Sequence, residues 1–173
     1  MLAAKNQLNL VSVELEGQTV TQQVINYFRT EGAIEDYQVH PSNKYVVVAA
    51  CHLYVFDIES GDICAKTPYP PESINSTKQK QMKLEIDASG LYASVVTPDA
   101  NIQIFEVGTG KVVSHVLPQF GEVSSLALNT NYEHFVVADK LSQQVKIFKI
   151  DEKMQGASRR VLRLMREKIR VWD

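Results

Sequence analysis

The chain has 173 residues, enough for one domain with a sizeable core. Its 45% hydrophobic and 22% charged residues exclude a disordered chain. A net charge of -2 argues against nucleic-acid binding as the task of the whole chain. No apolar run approaches the ~20 residues of a membrane span, so a membrane role is not expected. Met1–Leu10 lacks the charged and apolar regions of a signal peptide. Only Cys51 and Cys64 occur, in no metal-ligand spacing, which fits a reducing, intracellular compartment, cytoplasmic or cytoskeletal.

In chain order, the first predicted strand is Leu10–Leu15, alternating Leu, Val, Val, Leu with polar residues, and a second follows over Thr19–Phe28. These two form the later half of a unit, residues 9–28. Three fuller units follow, over 32–67, 81–117 and 121–155. Each opens with spaced apolar residues: Ile34, Tyr37 and Val39; then Leu84 and Ile86; then Val123, Leu126 and Leu128. A polar turn comes next. Asn43 and Gly90 share one turn position, where a positive φ is expected. A β-branched run then supplies a second strand: Tyr45–Ala50, Tyr92–Val96 and Phe135–Ala138. A strict alternation marks the third: Leu53–Ile58, Ile102–Val107 and Val145–Ile150. Gly61 and Gly110 turn the chain into a fourth, Asp62–Thr67 and Lys111–Leu117.

Val13 to Phe56 is 43 residues, Phe56 to Phe105 is 49 and Phe105 to Phe148 is 43. Four strands at a period of roughly 40–45 residues mark a propeller blade. With these residues in place, the sequence resembles the WD-repeat (WD40) β-propeller superfamily over about Asn9–Ile150. Asp87–Ala93 is similar to the family's turn between its first two strands, and Asp99–Glu106 to its entry into the third. Asp99 sits where the family places a structural aspartate, which implies a hydrogen-bonding role inside the blade. Ile86–Ile104 is further similar to blades of mitogen-activated-protein-kinase-binding protein scaffolds. The family's Trp-Asp pair is replaced by Phe56-Asp57, Phe105-Glu106 and Phe148-Lys149, and its Gly-His pair is absent, with Thr30 and Gln119 nearest the His position. Blade stability is therefore expected to rest on apolar packing.

The expected fold is all-β, with about three and a half four-stranded blades over residues 1–157. Propellers close with ~4–8 blades, so the missing blades are expected from the rest of a larger chain, the favoured reading, or from another chain. Residues 158–173 carry a net charge of +4, and Val161, Met165, Ile169 and Trp172 recur at helical spacing. That predicts a basic amphipathic helix, with Ile169–Asp173 also readable as a strand resembling the family's Trp-Asp ending.

No catalytic, metal or cofactor constellation is visible. His40 and His134 fall in or beside polar turns and are expected to be solvated. Cys51 and His52 are adjacent, and neighbours on a strand point to opposite faces, so they are not expected to act as a pair. The polar connection Pro68–Lys80 is a candidate binding loop, with Tyr69 as its exposed aromatic anchor and Lys78 and Lys80 as its charges. Arg159, Arg160, Arg163, Arg166 and Arg170 are candidate docking residues of the tail. Together these point to a non-catalytic protein-interaction scaffold, with a kinase or large-assembly subunits as partners. The alternative is a structural subunit of a cytoskeletal, ciliary or other multiprotein assembly, with the basic tail docking a partner.

Overall fold

The computed structural model describes residues 2–16, 19–70, 81–116, 122–128 and 134–149. These residues form four antiparallel sheets, with no helix among them. The first sheet comprises β1 (Leu2–Ala4), β2 (Gln7–Glu16) and β3 (Thr19–Arg29), in that spatial order. The second runs β4 (Asp36–Val39), β5 (Tyr45–Ala49), β6 (His52–Asp57) and β7 (Ile63–Pro68). The third runs β8 (Lys83–Ile86), β9 (Tyr92–Val96), β10 (Ile102–Glu106) and β11 (Val112–Val116). The fourth has β12 (Val123–Leu128), β13 (His134–Asp139) and β14 (Gln144–Lys149). The strands expected from the sequence are all present within the described residues, and β1 is an addition. The fourth strand of the last unit and the helix expected over 158–173 lie outside them.

The sheets stack in chain order, and three apolar clusters fill the gaps. Leu8 and Phe28 of the first sheet pack on Val46, Val48, Tyr54 and Phe56 of the second. Val47, Ala49, Leu53 and Val55 face Leu84, Ile86, Ala93, Val95 and Phe105 across the next gap. Val96, Ile102 and Ile104 meet Leu126, Phe135, Val137 and Phe148 across the third. Hence β5, covered on both faces, is a continuous apolar run, since period-two alternation survives only where one face meets water. Strand β13 makes the contrast: its residues alternate between buried and half-buried, with one face in the third cluster.

The aromatic residue near the end of each of the third strands β6, β10 and β14 is a core residue. Phe56, Phe105 and Phe148 are buried, and Phe148 stacks on Phe135 at 4.6 Å. The acid after each of the first two closes the following turn. The Asp57 carboxylate accepts the backbone N–H groups of Glu59 and Ser60, each at 2.9 Å, and these hold its pKa below the usual carboxylate range. Thr109 Oγ1 donates to Glu106 at 2.5 Å in the equivalent turn. Asn43 and Gly90 adopt φ of 58° and 76°, as their shared turn position requires. Asp99 accepts from Thr97 Oγ1 at 2.5 Å and from Asn101 Nδ2 at 2.6 Å, a hydrogen-bonding role inside its own turn.

Apolar packing is not the whole account of how the sheets cohere. Side chains of one sheet bond the backbone of the next. Asp36 Oδ2 accepts from Leu84 N at 2.9 Å, and Gln38 Oε1 from Ile86 N at 2.6 Å. Strand β8 is the edge of its sheet, so these two N–H groups have no partner in the ladder. Asn26 Nδ2 donates to Ile58 O at 3.1 Å, tying the first sheet to the second. Thr67 Oγ1 donates to Gly110 O at 2.6 Å, tying the second to the third.

Candidate functional site

At one end of the second sheet, three segments converge. Residues 30–32 follow β3, where Thr30 N donates to Asn6 O at 3.1 Å and Thr30 Oγ1 to Gly32 O at 2.6 Å. This fixes the segment that carries Glu31. The β5–β6 turn carries Cys51 and is closed by Ala50 N donating to His52 O at 3.0 Å. Lys66 comes from β7.

In this cluster Cys51 Sγ lies 3.2 Å from His52 Nδ1, and Glu31 Oε2 lies 3.8 Å from the same nitrogen. The adjacency of Cys51 and His52 therefore does bring them together, against expectation. The opposite-face rule needs both residues on a strand, and Cys51 stands in the turn before β6. Gly32 makes the room: a Cβ there would meet Cys51 Sγ at 3.2 Å. Lys66 Nζ pairs with Glu31 Oε1, and that hydrogen bond and charge hold the Glu31 carboxyl below its ordinary value. Beneath them Tyr54 is buried, its hydroxyl 3.8 Å from Cys51 Sγ. Glu31 N donates to the Tyr54 oxygen at 3.3 Å, which leaves the phenolic hydrogen free to face the sulfur. Burial pushes the Tyr54 phenol up to about 12, so it keeps that hydrogen at neutral pH.

The geometry is not that of a nucleophile–base–orienter relay. Such a relay places the nucleophile on one imidazole nitrogen and the acid on the other. Here the sulfur and the carboxylate converge on the same nitrogen.

Tyr69 is not an exposed anchor. Strand β7 runs through Pro68, and the next residue turns inward, where Tyr69 is 3% exposed and meets the Phe105 ring edge-on at 6.3 Å. Its hydroxyl has no partner among the described residues, and burial raises its pKa, with Cys51 and Tyr54 adding to the effect. Lys78, Lys80, Arg159, Arg160, Arg163, Arg166 and Arg170 lie outside the described residues.

At the opposite end, where the β4–β5 turn falls, a cleft of ≈ 290 Å³ opens between the second and third sheets. His40, Tyr45, Cys64, Gly90, Leu91 and Glu106 line part of it. His40 is half-buried rather than simply solvated. Ser42 N donates to its Nδ1 at 3.1 Å, so the ring hydrogen sits on Nε2, which donates to Gly90 O at 2.8 Å.

No family model and no curated protein sequence matches the chain. Its fold is similar to solved structures. One is a candidate 6-phosphogluconolactonase from Bacteroides uniformis ATCC 8492, with a TM-score of 0.65 at 12% identity over 85% of this chain and 46% of that one. Another is the WD40 repeats of RRP9, with a TM-score of 0.58 at 18% identity over 81% of this chain and 38% of that one. The chain thus spans less than half the length of either. At these identities the likeness is one of fold.

Proposed function

We propose that the chain is part of a WD40-type β-propeller that acts as a non-catalytic scaffold for protein–protein interaction. The supporting observation is the serial stack itself: repeated antiparallel sheets of three or four strands, joined face to face by apolar clusters and side-chain clamps. Such a stack spends its chemistry on cohesion and leaves turns at two rims for recognition. The likeness to WD40 repeats supports the same reading. Its partners are other proteins, such as a kinase or the subunits of a large assembly, and not nucleic acid or membrane. Both cysteines are free, in keeping with an intracellular, cytoplasmic or cytoskeletal setting.

A structural subunit of a multiprotein assembly is the second reading. The one-sided burial of β13 favours it, because a neighbouring blade would cover the other face. In either case Lys78, Lys80 and the arginines of 158–173 are the proposed docking charges.

The test compares partner capture by the wild-type chain, by Lys78→Glu with Lys80→Glu, and by Arg159→Glu with Arg163→Glu, each with a urea melt. Loss of a reproducible partner at an unchanged melt supports the scaffold. A partner set unchanged in both variants removes these charges from the reading. Hydrolysis of a 6-phospho sugar lactone above background would overturn the non-catalytic assignment.

A further inference from the structure

We propose that Glu31, Cys51 and His52 form a binding site for a zinc-class divalent metal ion. Their ligand atoms, a carboxylate oxygen, Sγ and an imidazole nitrogen, all lie within 4.8 Å of one another. A tetrahedral zinc with ordinary bond lengths sets its ligand atoms about 3.3–3.6 Å apart. The observed 3.2 Å from Sγ to Nδ1 and 3.8 Å from Oε2 to Nδ1 bracket that spacing. The sulfur and the imidazole come from adjacent residues where the turn enters β6, so the backbone keeps them close. The Glu31 side chain is 64% exposed and can close the remaining distance at little cost.

The donor set also selects the ion. One thiolate, one imidazole and one carboxylate carry two negative charges, which a divalent cation neutralises. A soft sulfur with a nitrogen donor suits zinc and disfavours magnesium or calcium, which take oxygen ligands. Binding replaces the Cys51 S–H bond by a sulfur–metal bond, and the proton leaves to water. Three protein ligands leave a fourth position for water. Tyr54 supports the sulfur from beneath, its hydroxyl 3.8 Å from Sγ, and a metal-bound thiolate, having no hydrogen of its own, would accept from it as an outer-shell contact.

Lys66 is the built-in competitor. It holds Glu31 Oε1 in the metal-free protein, and its positive charge opposes a cation at the neighbouring Oε2. Its removal should therefore tighten binding, whereas removal of any ligand should weaken it. Cys64 is the internal control, because it is exposed on β7 and outside the cluster.

The experiment titrates the reduced full chain with Co2+, followed by competition with Zn2+. One equivalent should give a thiolate-to-cobalt charge-transfer band, displaced by Zn2+. Cys51→Ser should abolish the band and Cys64→Ser should keep it. His52→Gln and Glu31→Gln should each weaken binding at least tenfold, and Lys66→Gln should strengthen it severalfold. Urea melts of the metal-free proteins separate lost ligation from lost folding, and His52, on the rim, gives a ligand variant that spares the core. The proposal fails if no band forms, if the band follows Cys64 instead of Cys51, or if Lys66→Gln weakens binding.

Discussion

Gly90 and His40 offer a quantitative test of how the second and third sheets are joined. A Cβ on Gly90 would lie 2.2 Å from His40 Nε2, and φ there is 76°. Gly90→Ala therefore acts twice. The left-handed backbone costs an alanine about 1–2 kcal/mol. The imidazole must also leave, which breaks its bond to Gly90 O and the pair that Ser42 N and Oγ share on Nδ1, together contributing about 2 kcal/mol. The single substitution should cost about 3.5 kcal/mol, and His40→Ala alone about 2 kcal/mol. In the double variant the ring is already gone, so only the backbone cost is added, for a total again of about 3.5 kcal/mol. The two sites should thus be coupled by about 2 kcal/mol. The assay is a urea denaturation cycle. At a slope of about 2 kcal/mol/M, Gly90→Ala should lower the midpoint by roughly 1.5–2 M in the wild-type background and by less than 1 M beside His40→Ala. Equal shifts in both backgrounds would refute the clash and leave backbone strain as the whole effect.

Two further outcomes are expected. Tyr69→Phe removes a buried hydroxyl that has no partner among the described residues, so it should leave the urea midpoint unchanged or raise it, whereas Tyr69→Ala should cost about 3–5 kcal/mol. The second concerns pH. Burial alone would raise the Asp139 carboxyl, but the Ser142 hydroxyl and the backbone N–H groups of Ser142 and Leu141 outweigh it and bring the value below the usual range. A depressed folded value means the charged form is favoured by folding. That stability is fully present above the unfolded value of about 4 and is lost as pH falls through the folded one. Wild-type and Asp139→Asn proteins melted at pH 7 and pH 3 should converge at the lower pH, and a constant gap would contradict the reasoning.

Much of the fold was legible because it is repetitive. The alternation in Leu53–Ile58 and its two counterparts located the third strands, and the spacing of Phe56, Phe105 and Phe148 set the period. Asn43 and Gly90 announced left-handed turns through residue type alone. What stayed hidden was contact between segments. Tyr69 follows a proline in a polar stretch, and only the extension of β7 through Pro68 aims it at Phe105. His40 reads as a turn histidine until Gly90, fifty residues on, presents its carbonyl. Glu31 belongs to the link before its sheet, so nothing in its local pattern joins it to Cys51. The Cys-His dipeptide was a usable signal, lost because strand geometry was applied to a turn. Ala100 and Gln143 also hold positive φ, which their residue types do not suggest.

The hold of Asp36 and Gln38 on the backbone of β8 has a consequence for what can join this molecule. An open edge of a sheet invites a foreign strand by offering N–H donors in register. On β8 the outward donors of Leu84 and Ile86 are already committed to a neighbouring sheet. An extended peptide arriving there would find its template spent. Main-chain pairing with another polypeptide would have to use a different edge, such as β7 or β11 at the far ends of the second and third sheets.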